Sequence, residues 1–242
     1  MREVPFFGEL YRRTTAPLLS EQVTRAEARF IAATLPVGAG VRVLDVGCGE
    51  GRHLEALPPG GARLYGVDFD RASLASARRF AFVLGGDLRA LPLSSACVDA
   101  AFCWYSTLFV FDEEGNRQAL GEVARVLRAG GRFLFQTVNA LALAAQPSAR
   151  FEHRLPDGSI VREESRFDPS VGVDEGTRTL ELPDGEILRG HYRLRYYQLP
   201  ELERLFDSCG LRLERTWGGV GGEPFAPEGL DLIALAVRQA AR

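Results

Sequence analysis

The run Val43-Leu44-Asp45-Val46-Gly47-Cys48-Gly49-Glu50-Gly51 constrains this chain more than any other stretch. Val41, Val43 and Leu44 lead into an acid, and glycines then stand at alternate positions. An apolar run entering a glycine-rich turn ahead of a helix reads as a buried strand, a tight turn and a helix start. Glycine tolerates positive φ and lets a ligand approach the backbone closely. The first N–H groups of the following helix are free to face polar ligand atoms.

A dinucleotide site asks for G-x-G-x-x-G. Here the spacing is G-x-G-x-G, and Arg52 stands where the third glycine of that fingerprint would be. Asp45, two residues before the first glycine, would repel a pyrophosphate but suits an ammonium group. Both features count against a nicotinamide-dependent oxidoreductase. The run resembles instead the first motif of the class I S-adenosylmethionine-dependent methyltransferases. GVDFD, GDLRALPL and VLRAGG follow in the order and spacing of that family, with Ala129 where its turn usually carries proline. The likeness extends over nearly the whole chain. A β insertion followed by Leu194–Tyr197 and Pro-Glu-Leu is similar to the small-molecule (type 11/25-like) subgroup, which includes sugar-amine N-methyltransferases and glycine methyltransferase-like enzymes.

The fold expected is α/β, a Rossmann-like doubly wound seven-stranded sheet with the last strand antiparallel and a small antiparallel β insertion after strand 5. Residues 1–150 and 198–242 would form the core and 151–197 the insertion. LPDG at Leu155–Gly158 and again at Leu182–Gly185, with Asp168-Pro169 between, marks three hairpin turns and four strands. Residues 1–19, with Phe6, Phe7 and Tyr11, read as an aromatic arm that either packs on the domain or acts as a lid, Tyr11 reaching the ligand. Ser20 to Leu35 reads as a helix with Val23, Ala26, Phe30 and Ala33 or Thr34 on one face.

Asp68 ends the second strand, at the carboxyl edge beside the glycine turn and within reach of ribose hydroxyls. Its alternative role is a helix cap, which Asp70 fits better. The family resemblance implies further roles. Asp45 and the amides of Gly47, Cys48 and Gly49 would hold the methionine end, Asp87 and the Leu88 amide the adenine, and Phe69 would flank the ring. Cys103 and Trp104 would border the sulfonium through backbone groups, unless Trp104 only packs on the core. Tyr105, Arg195 and Tyr197 are candidates for the acceptor pocket; the arginine-rich face of the last insertion strand is otherwise a solvated surface. His53 and His191 read as structural, and no catalytic base is named.

A net charge of −3 argues against nucleic acid as the partner. The 29 basic residues are all arginine. Four cysteines without a C-x-x-C pair and three scattered histidines suggest neither a disulfide framework nor a metal site. With no leader-like N-terminus and no membrane-length apolar run, the expected setting is the cytoplasm. The activity expected is methyl transfer from S-adenosyl-L-methionine, releasing S-adenosyl-L-homocysteine, to a small-molecule acceptor by a monomer or homodimer. An RNA or protein methyltransferase, or a protein that binds the cofactor without turnover, are the alternatives.

Overall fold

The computed structural model describes residues 1–58 and 60–240. Strand β2 (Arg42–Val46) is the axis of a seven-stranded sheet. It pairs in parallel with β3 (Arg63–Asp68) on one side and β5 (Val98–Cys103) on the other. Its last four residues are buried, which is why Val43, Leu44 and Val46 form a nearly continuous apolar run. The edge beyond β3 is β4 (Phe82–Gly85). The other half continues through β6 (Leu127–Val138) to β12 (Asp231–Arg238) and β11 (Leu211–Trp217). β12 runs antiparallel to both of its neighbours, as expected of the last strand.

Helices cover both faces. α2 (Glu21–Thr34), α3 (Arg52–Ala56) and α4 (Arg71–Ala77) belong to the half around β2 and β3; α5 (Glu113–Val126) and α7 (Leu199–Ser208) pack on the half around β6. The starts of three are fixed by short polar side chains. Ser20 accepts from the Val23 N–H, Asp70 from those of Ala72 and Ser73, and Asp112 from that of Gly115. The strand order turns outward in both directions from β2 and β5, so the carboxyl ends of these strands open on one crevice.

α2 is rotated by about one residue from the face read in the sequence. It buries Thr24, Glu27, Ala28 and Ile31, and Val23 is exposed. The apolar residues alone misplace that face because two of its buried positions are polar. Glu27 is buried against Arg52 and His53 of α3.

After β6 and a short helix, α6 (Ala140–Ala145), the chain enters a second sheet of four antiparallel strands. These are β7 (Ser148–Arg154), β8 (Ile160–Asp168), β9 (Val173–Glu181) and β10 (Ile187–Arg195). The expected boundary at 151 falls inside β7. The two LPDG turns are built alike. Gly158 and Gly185 take φ of 89° and 88°, and each donates its N–H to the leucine that opens the turn. A fifth strand, β1 (Arg2–Glu3), joins in parallel beside β10, a pairing that two residues carry no sequence signal for.

The arm leaves β1 and passes under this sheet. Phe6 and Leu10 pack with Leu155, Val161, Leu180, Leu188 and Tyr192, a cluster separate from the core of the main sheet. Gly190 lies close beneath the arm; a Cβ there would stand 3.0 Å from the Val4 carbonyl oxygen. The arm then turns through Tyr11–Thr14, here α1, and reaches the crevice. Leu10 is fully buried in the cluster, so Leu10→Ala should cost about 2–5 kcal/mol locally. Limited proteolysis should then cleave within the first 19 residues at a protease dose that leaves the wild type intact. A variant as resistant as the wild type would contradict this packing.

Candidate active site

The carboxyl ends of β2, β3 and β5 and the underside of the arm enclose a cavity of ≈ 300 Å³. Asp45 enters it from β2. It is 2% exposed, and its Oδ2 has no hydrogen-bond partner among the described residues. Burial, opposed by the nearby Arg52 guanidinium, pushes its carboxyl up to about 8.

The glycine turn bends against β3. The N–H groups of Gly47 and Cys48 both donate to the Val67 carbonyl, at 2.8 and 3.1 Å, and that of Gly51 donates to Cys48. Gly49 N–H donates to Asp68 Oδ2 at 2.8 Å. The amides expected to face the ligand are therefore turned inward, because they tie the turn to β3. Gly47, Cys48 and Gly49 line the cavity by position. Gly47 has φ of 78°, and a Cβ there would stand 2.3 Å from Thr107 Cγ2, so both conformation and space demand glycine.

Asp68 enters from β3. Besides Gly49, it accepts from the Asp70 N–H at 2.9 Å. Burial raises its carboxyl, and these backbone donors oppose the rise. Asp70, not Asp68, caps α4. Phe69, Leu88, Trp104, Tyr105 and Tyr11 also line the cavity. Trp104 is almost fully buried and meets His53 edge to face.

Three sequence candidates are placed elsewhere, and a fourth, Cys103, is expected to act only through its backbone. Asp87 is exposed and holds Arg89 through both of its oxygens, at 2.7–3.2 Å. Asp87 is not among the residues that line the cavity, although its neighbour Leu88 is. Cys103 is fully buried with its side chain in the main core. Tyr197 packs edge to face on Phe109 in that same core, and its hydroxyl accepts from Asn116 Nδ2. Arg195 lies over the Tyr197 ring and is taken up by Glu113, Glu201 and two backbone carbonyls. Arg195 and Tyr197 thus join the insertion to α5 and α7 and do not wall the acceptor space. No residue of β7–β10 lines the cavity; the arm that these strands carry does so, through Phe7, Gly8, Tyr11, Arg12, Ala16 and Leu19.

Sequence reading missed a polar cluster on one wall. Arg52 donates to Thr24 Oγ1 at 3.1 Å and to Glu27 Oε2. His53 Nε2 lies 3.0 Å from the same Glu27 oxygen. Burial alone would lift the Glu27 carboxyl, but His53 and Arg52 outweigh it and hold it below the usual range. Burial likewise keeps His53 below its ordinary value, although Glu27 pulls the other way. The one signal for this cluster was Arg52 in the place of a glycine. Above it, Tyr105 and Ser106 take φ of 58° and 56°, a conformation unfavourable by roughly 1–2 kcal/mol for each L-residue. Gln136 holds them there. Its Oε1 accepts from Tyr105 N–H, its carbonyl accepts from Ser106 N–H, and its Nε2 donates to Asp231. The result is the Tyr105 ring over the Arg52 guanidinium, 5.0 Å from centre to centre.

A glycine turn at the switch of a doubly wound sheet, with acids from adjacent strands facing one crevice, defines a nucleoside-binding α/β protein. Residues 43–131 match the family described as "Methyltransferase domain". The chain is 33% identical over 203 residues to a malonyl-[acyl-carrier protein] O-methyltransferase of Pectobacterium atrosepticum, covering 83% of this chain and 72% of that protein. It is 29% identical over 215 residues to a protein of Mycolicibacterium smegmatis named "Probable S-adenosylmethionine-dependent methyltransferase", covering 83% and 82%. The CcbJ methyltransferase of Streptomyces caelestis superposes with a TM-score of 0.77 at 23% identity, over 90% of each chain, and shows the same fold. The chain belongs to the class I S-adenosylmethionine-dependent methyltransferases. Its cofactor is S-adenosyl-L-methionine, and the unpaired Asp45 oxygen fits the ammonium such a ligand carries. Among the described residues no helix is long and apolar enough to cross a membrane.

Asp45 has a consequence for stability. Its carboxyl is raised from 3.8 to about 8 in the fold. Folding with the proton on is therefore favoured fully below about 4, and that contribution is lost as pH rises through about 8. In the ligand-free protein, Asp45→Asn should melt above the wild type at pH 8, by an amount on the order of a few kcal/mol. The difference should vanish toward pH 4. Equal melting of the two proteins at pH 8 would contradict a buried, unpaired acid.

Proposed function

We propose that this protein transfers the methyl group of S-adenosylmethionine to a small-molecule acceptor bound under the arm. The observation that carries the reading is the convergence of Asp45 and Asp68, from neighbouring strands, on one cavity roofed by residues 7–19. A roof of Phe7, Tyr11 and Leu19, with Tyr105 and Trp104 on the wall, leaves room for a compact acceptor and little for a polymer. One relative's name, a malonyl-[acyl-carrier protein] O-methyltransferase, gives a compact malonyl group as that protein's acceptor, borne on a carrier protein. Residues 151–197 serve in this reading as an insertion on a core of 1–150 and 198–242, acting on the site through the arm. Four free cysteines suit a reducing cytoplasm, with the protein acting as a monomer or homodimer.

In this reading Asp45 takes the ammonium of the methionine end. Asp68, with a lone pair left on each oxygen, accepts from the ribose hydroxyls. Leu88 and Phe69 flank the adenine. The cofactor supplies a methyl group on a positive sulfur, transferred by in-line displacement. The protein's share is to position the acceptor and to exclude water from it. Proximity of this kind is worth up to roughly 7–11 kcal/mol. The aromatic rings of Tyr11, Trp104 and Tyr105 suit the neighbourhood of a cation. An amine acceptor needs only to arrive unprotonated, and no base is assigned to the chain.

Titration calorimetry should show binding of S-adenosylmethionine and S-adenosylhomocysteine. Asp68→Asn, which keeps one acceptor oxygen, should weaken both about 10- to 100-fold. Methyl-labelled cofactor offered with a panel of amines, carboxylic acids, phenols and RNA should place label in a small molecule. Label confined to RNA, or none in any acceptor despite tight cofactor binding, would overturn the proposal.

A further inference from the structure

The second sheet ends at β7, which has no strand on its outer side among the described residues. All seven residues of β7 are exposed. It pairs with β8 in one unbroken register from Ser148 to Arg154. The bonds just beyond its ends fix which backbone groups face inward. The Pro147 carbonyl accepts from the Phe167 N–H, and the Leu155 N–H donates to the Ser159 carbonyl. Bonded positions alternate along an antiparallel pair, so Ala149, Phe151 and His153 bond β8. The N–H and C=O groups of Ser148, Arg150, Glu152 and Arg154 face outward. The other sheet edges are short or irregular, which blunts them against pairing. β1 and β4 have two and four residues, and β11 shifts register between Leu213 and Arg215.

We propose that β7 pairs with β7 of a second copy of this chain, antiparallel and centred on Phe151, so that two five-stranded sheets join into one. A closed dimer of identical chains has a two-fold axis, and edges related by such an axis through the sheet run antiparallel. The registers of greatest overlap are centred on Arg150, Phe151 or Glu152. Centring on Arg150 sets that arginine against itself. Centring on Glu152 sets glutamate against itself and Arg150 against Arg154. Centring on Phe151 uses the whole strand and sets Arg150 of each copy opposite Glu152 of the other. Opposite charges directly across are favourable and like charges unfavourable, so the sequence of β7 selects this register. Both side chains are available for it. Arg150 is 84% exposed and meets Glu164 at 3.4 Å, a surface pair that contributes little. Glu152 bonds Arg162 through Oε2 alone. On the other face Phe151 is 41% exposed and stacks on the His153 ring, with centroids 6.1 Å apart. At the centre of the pair it meets the Phe151 ring of the second copy at a non-hydrogen-bonded position, where side chains approach most closely.

The proposal is independent of the cofactor reading, and so is its test. Sedimentation equilibrium of the full chain at micromolar concentration should give twice the chain mass. Arg150→Glu alone and Glu152→Arg alone each set like charges opposite one another, and each should weaken self-association about 10- to 100-fold. An equimolar mixture of the two variants should recover the dimer, because each acid then meets an arginine of the other chain. Phe151→Cys should give a disulfide-linked dimer on oxidation with diamide, beyond anything seen with the wild type or with Ala149→Cys. A wild type that stays monomeric overturns the proposal. So does a dimer that survives both single variants, a mixture that stays monomeric, or a crosslink through Ala149→Cys and not through Phe151→Cys.

Discussion

A carboxyl group without a partner, buried at the end of the central strand, sets the terms for everything around it. Asp45 sits where β2 is paired on both sides, so the backbone there cannot move to relieve it. Water is excluded from its free oxygen, and the residue lies on the cavity wall. A fold that bears such a group gives up stability at neutral pH for the ability to bind a cation. The glycine turn makes the arrangement possible. By donating its own N–H groups to β3 it closes tightly.

The second sheet acts at a distance. Its inner face grips Phe6 and Leu10, and the next residues of the arm then form the roof. Its last strand runs into Arg195 and Tyr197, which lock onto α5 and α7. The cavity roof is thus held by residues far apart in sequence, through one cluster of apolar contacts and one of ion pairs. The strained pair Tyr105 and Ser106 belongs to the same logic. Gln136 of β6 fixes it, and Tyr105 in turn orients Arg52.

The fold was legible because its signals are local and repeated. The apolar run before Asp45, the LPDG turns and the capping residues Ser20, Asp70 and Asp112 each mark an element without reference to any other. Asp45 and Asp68 were legible for a topological reason, since strand ends in a doubly wound sheet share one edge. Asp87 shares that edge too, yet Arg89 two residues on captures it, and pairing of that kind depends on rotamers that no motif encodes. Tyr197 follows a strand whose alternation points outward, yet its ring packs in the main core against Phe109. The Glu27–Arg52–His53 wall escaped notice because its partners lie 25 or 26 residues apart on two helices. No pattern within either helix links them.

The proposed roles set Asp45 and Asp68 at the two polar ends of one nucleoside ligand. A crystal structure of the protein with S-adenosylhomocysteine tests that placement most directly. The ligand's ammonium should lie within hydrogen-bonding distance of Asp45 Oδ2, with its ribose hydroxyls at Asp68 and the arm closed over it. A ligand seated away from β2, with the Asp45 oxygen still unpaired, would contradict it.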